Sequence, residues 1–388
     1  MNINFDFLKR RAFNMRWAQV EEGVIPLTAA DHDIKVHASI LAAIQNEIQQ
    51  GHLPYSPACG LIEFQMAVAL HYQSQKSAIF SPDCVLATNS AASAIQHFFD
   101  YFLKEGDEVL VQNPVDFLLA HCAERAGGKV VRIPTPIPNT ESENITSGWE
   151  ELVSDKTKVL AICHPHNPLG FYYSPAQLKQ IADFARKHQL TILSDEVWSD
   201  VVLESDFVSM RDVDEQCWLV YGLSKGFGLA GLRIGALICP SLDERDALAL
   251  ACGYVHTMEG ASTLSQMAAV AAMGDPQILQ HFITQIKPVM EYAVNGINAI
   301  SFLNTSMPSA TFVLWIQHPK EWDTEKLVDI IEKEARVKLV PGMERWFGPA
   351  ADGYIRMSCA THMDIMKEAI HRLQKWASQQ KDFQRLAK

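Results

Sequence analysis

KVLAICHPHNPLG (158–170), LTILSDEVWSD (190–200) and WLVYGLSKGFGLAGLRIG (218–235) share one design: a continuous apolar run that breaks into glycine, proline and polar residues. A strand with only one face buried alternates apolar with polar residues. A strand buried on both faces is apolar throughout, as in a parallel sheet covered by helices. CVLATN (84–89), DEVLVQ (107–112), KVVRIP (129–134) and IGALIC (234–239) read the same way. Helical patterns lie between several of these runs. In SPAQLKQIADFARKHQ (174–189), Ser174 is placed to cap the helix, with Pro175 at the first helical position and Gln177 at the third. Strands alternating with helices predict an α/β unit around a mostly parallel sheet.

The pattern changes toward the end of the chain. A helix expected over about 275–300 is followed by a strand in ATFVLWIQ, a helix in TEKLVDIIEKEA, a short VKLVP segment, a strand in YIRMSC and a final helix. This α+β pattern predicts a second, smaller domain. The expected division is a large α/β domain over 46–285 and a small one built from 1–45 and 286–388. PTPIPNTESENITSG (134–148) reads as a surface loop.

Composition narrows the function. In 388 residues the formal net charge is −12, which argues against nucleic acid or an anionic membrane surface as partner, since both require a cationic face. The eight cysteines are scattered without a CxxC pair, as expected for reduced thiols in a cytoplasmic protein. MNINFDFLKRRAFNMRWAQ has charges but no apolar run behind them, so no signal peptide is expected. The apolar stretch nearest to a membrane span, GLAGLRIGALIC, is interrupted by Arg233.

In α/β sheets, ligands sit at the carboxyl ends of the strands. Four polar residues fall there: Ser90, Asn167, Asp195 and Lys225. Any one of them alone reads as a turn or a cap. Together they match the needs of pyridoxal 5′-phosphate (PLP): a lysine for a Schiff base, a carboxylate for the pyridine nitrogen, and donors for the phenolic oxygen and phosphate. Lys225 follows Ser224 and precedes glycines that let backbone approach a ligand. Arg233, eight residues on, can clamp a phosphate. Ser90 and Ala91 open a helix whose amides can bind it. Of the adjacent Asp195 and Glu196, one is expected to face the ring and the other to cap the next segment.

NPLG, SDEVWSD and SKGFGLAGLRIG, in that order, resemble the class I/II aminotransferases of PLP fold type I, over nearly the whole chain. GVIPLTAADHDI (23–34) and SDEVWSD also resemble the cystathionine β-lyase (C–S lyase) branch, whereas the lysine loop, Arg233 and YIRMSCAT resemble aminotransferases. The resemblance implies a homodimer with shared active sites, acting on an amino acid and a 2-oxo acid. It implies that Arg356 grips the substrate α-carboxylate, that Tyr55 reaches the phosphate of the partner subunit, and that side-chain specificity comes from Thr28 to His32, Ala30 among them. Four positions depart from the family pattern. Trp198 stands for a tyrosine or histidine, His164 for an asparagine and Gly222 for a serine. Asp116 replaces the aromatic residue that stacks on the pyridine ring, a role left to Phe117 unless that side chain belongs to the core. The favoured reaction is transamination and the alternative is β-elimination from a sulfur amino acid. A regulator without catalysis would need a DNA-binding segment, for which the chain shows no basic stretch.

Overall fold

The computed structural model describes residues 15–135, 137, 144–204, 207–257, 260–380 and 386. The predicted loop 134–148 therefore lies in part outside the described residues. So does the first part of the predicted segment 1–45.

The apolar runs become one seven-stranded sheet. Its strands are β2 (Val85–Thr88), β3 (Glu108–Asn113), β4 (Lys129–Pro134), β5 (Thr157–Cys163), β6 (Thr191–Asp195), β7 (Trp218–Gly222) and β8 (Gly235–Ile238). The order is β2-β8-β7-β6-β5-β3-β4. The neighbours from β7 to β4 pair in parallel, while β8 is antiparallel to both β7 and β2. Alternate side chains feed two separate cores. Val159, Leu193 and Val220 join one, and Leu160, Ile192 and Leu219 join the other, all buried. Burial on both faces is why the sequence shows no polar alternation in these strands. Helix Pro175–Lys187 starts as its sequence dictates, with a capping box between Ser174 and Gln177.

The smaller unit is a three-stranded antiparallel sheet in the order β11 (Val340–Pro341), β12 (Tyr354–Ser358), β9 (Val313–Gln317). Helices Gln277–Asn298, Thr324–Ala335 and Met363–Gln379 pack together beside it. The N-terminal segment joins this unit through β1 (Ile25–Pro26), which pairs in parallel with β10 (Val337–Lys338). Both expected domain boundaries fall inside helices, Ala38–Gln50 and Gln277–Asn298. The first of these helices packs on Thr263–Met273 of the large unit, so only the stretch before it follows the small sheet.

Candidate active site

The sheet topology brings the loops together. β5, β6 and β7 are neighbours running the same way, and β2 shares their direction across β8. The ends of these four strands and the loops after them, which carry Asp195 and then Asn167, Lys225 and Ser90, therefore open at one edge. There they line a cavity of about 810 Å³, together with residues of the small unit. Ala30, Ser90, Ala91, Phe117, Asn167, Asp195, Trp198, Ser224, Lys225, Arg233 and Arg356 all line it. Tyr55 does not. It is 86% exposed and lies beside a separate hollow with Pro54 and Ser262.

Lys225 Nζ donates to the carbonyl of Ala30 at 2.6 Å and lies 5.2 Å from the centre of the Trp198 ring. Burial lowers its pKa from the ordinary lysine value, and nearby carboxylates, Asp116 first, oppose this. Asp195 accepts from the Val197 amide at 3.1 Å. Burial pushes its carboxyl up to about 7. Neither Lys225 nor Asp195 belongs to an ion pair among the described residues.

Strand alternation separates the two adjacent carboxylates. Asp195 shares the face of Leu193 and looks into the cavity, whereas Glu196 points the other way. There Glu196 accepts from the Ser209 hydroxyl and the Met210 amide at 2.9 Å, and so caps the short helix Met210–Val213. Side-chain direction thus turns Asp195 to the cavity and Glu196 to the helix start.

Ser90 caps helix Ala91–Phe102, its Oγ accepting from the Ser93 amide at 3.1 Å. Two glycines admit this turn to the sheet edge. A Cβ on Gly235 would come 2.5 Å from the Ala91 nitrogen, and one on Gly222 would come 3.1 Å from the Ala91 Cβ. Arg233 sits at the rim, exposed and in no ion pair among the described residues.

Arg356 lies in β12, the central strand of the small sheet, with only 8% of its side chain exposed. This excludes an edge-strand arginine facing water. Its guanidinium donates to Asp116 Oδ2 and to Asn167 Oδ1, each at 3.2 Å, and lies 5.0 Å from the Phe347 ring. Asp116, noted in the sequence only as a departure, is thus at the centre of the site. The signal for it was the missing aromatic ring; nothing in the sequence named its partner. Phe117 is 38% exposed, lines the cavity and packs edge-on to Trp346, so the core alternative for it is wrong. Trp198 is buried and packs edge-on to Phe312 at 4.7 Å.

His164 supports the turn and does not line the cavity. Its Nδ1 accepts from the Tyr173 amide, so its Nε2 carries the proton donated to the Val208 carbonyl at 2.9 Å. Burial lowers its pKa to about 4, which keeps the ring neutral.

The donor set fits PLP. Asp195 is a half-buried carboxylate in no ion pair among the described residues, and a cationic ring nitrogen would supply a counter-charge. Lys225 offers an amine at the cavity wall. Ser90, Ala91 and Arg233 offer amide and guanidinium donors to a phosphate at a turn that only a glycine at 235 lets pack so closely on the sheet.

The family described as "Aminotransferase class I and II" matches residues 23–373. The aromatic-amino-acid aminotransferase 2 of Thermococcus litoralis is 29% identical over 384 residues, covering 96% of this chain and 96% of that relative. The aspartate aminotransferase of Thermotoga maritima is 29% identical over 361 residues, covering 91% of each. The solved structure of the aromatic aminotransferase from Pyrococcus horikoshii OT3 superposes with a TM-score of 0.83 at 27% identity, over 94% of this chain and 98% of that one.

Proposed function

Because the chain belongs to the class I and II aminotransferases, an enzyme family that depends on PLP, we propose that its own cavity binds the cofactor on Lys225 and exchanges an amino group between an amino acid and a 2-oxo acid. The single observation that carries this is the meeting, at the carboxyl ends of neighbouring strands, of a half-buried amine and a half-buried carboxylate that both line the cavity and belong to no ion pair among the described residues. When bound, the cofactor supplies an aldehyde that condenses with amines and an electron-withdrawing ring.

The chain's residues would do the rest. Arg356 binds the substrate α-carboxylate and so orients the α-carbon. Lys225 Nζ, its proton affinity lowered by burial, removes the α-proton and returns it. Asp195 keeps the ring nitrogen protonated. Asn167 donates to the phenolic oxygen. Ser90, Ala91, Ser224 and Arg233 bind the phosphate. Trp198 and Phe117 wall the ring and the neighbouring space.

The homodimer is part of the same reading. Ile62, Met66 and Leu70 form an exposed apolar stripe at fourfold spacing on helix Ile62–Gln75, and Tyr55 stands free nearby in sequence. We place the protein in the cytoplasm, a compartment that suits eight free cysteines. No described helix is long and apolar enough to cross a membrane.

The relatives described above are aminotransferases. The likeness of GVIPLTAADHDI and SDEVWSD to C–S lyases rests on two short segments. One experiment separates the reactions. Given PLP and an amino acid but no acceptor, the protein should release oxo acid in proportion to its sites and stop, and a second 2-oxo acid should restart it. Continuous release of ammonia and pyruvate from cystathionine would replace this reading with the lyase.

A further inference from the structure

Asp116 occupies both donors that the proposed function assigns to ligands. The Asn167 amide nitrogen donates to its Oδ2 at 3.1 Å, and Arg356 Nη1 donates to the same oxygen at 3.2 Å. The backbone binds the two loops as well, with the Asp116 amide donating to the Asn167 carbonyl at 3.0 Å. The other guanidinium nitrogen of Arg356 reaches only the Thr28 carbonyl, at 3.4 Å. Arg356 is the more buried partner, at 8% side-chain exposure, and Asp116 the more open, at 29%. A buried guanidinium without a counter-charge is costly, so Asp116 serves a purpose while no substrate is present. A carboxylate arriving from the cavity must then take the place of another carboxylate.

We propose that Asp116 is a specificity-determining counter-ion: it holds Arg356 in the resting site, gives way to the substrate α-carboxylate, and thereby sets how tightly carboxylates bind. The inference rests on the reading of Arg356 as the carboxylate-binding residue. The consequence is selectivity. A simple organic anion gains little by exchanging with Asp116. An amino acid, which also reacts through its amine, has a second source of binding energy and can displace it. An aromatic side chain at this position could not exert such competition. The partially exposed pair is screened by water, so the competition is modest in size.

The test uses the PLP-loaded protein and propionate, which has a carboxylate and no amino group. Its affinity is measured by titration calorimetry, with cofactor content checked by visible absorbance in each variant. Asp116→Asn should tighten propionate binding by about three- to tenfold. Asp116→Glu, which keeps the charge, should leave it near the parent value. Arg356→Gln should weaken it in either background. If Arg356→Gln weakens binding while Asp116→Asn does not tighten it, the counter-ion role is overturned and the carboxylate role of Arg356 stands. If Arg356→Gln changes nothing, both fall together. Should Asp116→Asn lose cofactor, Asp116→Ser decides by the same comparison.

Discussion

A lysine and an aspartate meet at two places beside the central sheet, one pair buried and the other half-buried, and the two sets differ in whether they are paired. On the face of Tyr72 and Tyr221, Lys76 Nζ lies 2.6 Å from Asp200 Oδ1, and both side chains are 1% exposed. His71 Nε2 and the Tyr221 hydroxyl reach the same carboxylate, each at 2.7 Å. Lys76 and His71 hold the Asp200 carboxyl below its ordinary range, although burial alone would raise it. On the other face, Lys225 and Asp195 make no ion pair among the described residues and look into the cavity. Saturated hydrogen bonding marks the first set as structure. The second set has its charges unmatched because a ligand is expected to match them. Buried charge that is fully paired marks structure; charge left open to a cavity is what we read as a candidate site.

Exchanging the lysines should break the comparison most sharply. Lys225→Ala should lower turnover by about a thousandfold or more while leaving the thermal midpoint near the parent value. Lys76→Ala should instead cost about 3–5 kcal/mol of stability, because Asp200 would remain buried without its main counter-charge. Denaturant titration and steady-state kinetics on both variants check this. Loss of turnover without loss of stability in Lys76→Ala would show that the sheet does not divide structure from chemistry as argued.

The carboxylates should differ in how stability follows pH, measured on protein without cofactor. Asp195 is raised from 3.8 to about 7 by burial, so the folded state keeps a proton that the unfolded state loses. Stability should therefore fall as pH rises from about 4 to about 7, and Asp195→Asn should remove part of that fall. Glu196, raised from 4.5 to about 7 by burial, acts with the same sign. Asp200 has the opposite sign. Its contribution is present above its ordinary value of 3.8 and is lost as the solution becomes more acidic than that. Thermal midpoints of the single Asn variants across this range separate the two; equal profiles would erase the distinction.

The smallest effect concerns an exposed residue. If Tyr55 completes the neighbouring subunit's site, Tyr55→Phe should impair activity by losing one hydrogen bond, worth about 0.5–1.5 kcal/mol. Mixing it with Lys225→Ala should restore one unmodified site per hybrid dimer. Activity that stays at the sum of the two separate variants after verified subunit exchange would confine Tyr55 to a surface role.

Much of this molecule was legible before folding was considered. The strands announced themselves because burial on both faces leaves no room for polar alternation. Lys225, Asp195, Asn167 and Ser90 stood out because each breaks such a run at its carboxyl end. Local chemistry was equally plain at Ser174, where the capping box needs only neighbouring residues. What the sequence determined by itself, then, is what depends on short-range pattern: element type, buried strands and the polar residues that end them. Only the tertiary structure decided that Asp195 faces the cavity while Glu196 caps a helix, since alternation separates two neighbours without saying which side is open. Only it joined Asp116 to Arg356, because a separation of 240 positions carries no local signal of a contact made by two units closing on one cavity. And only it put the first expected domain boundary inside helix Ala38–Gln50, which packs on Thr263–Met273, a contact between segments far apart in the chain.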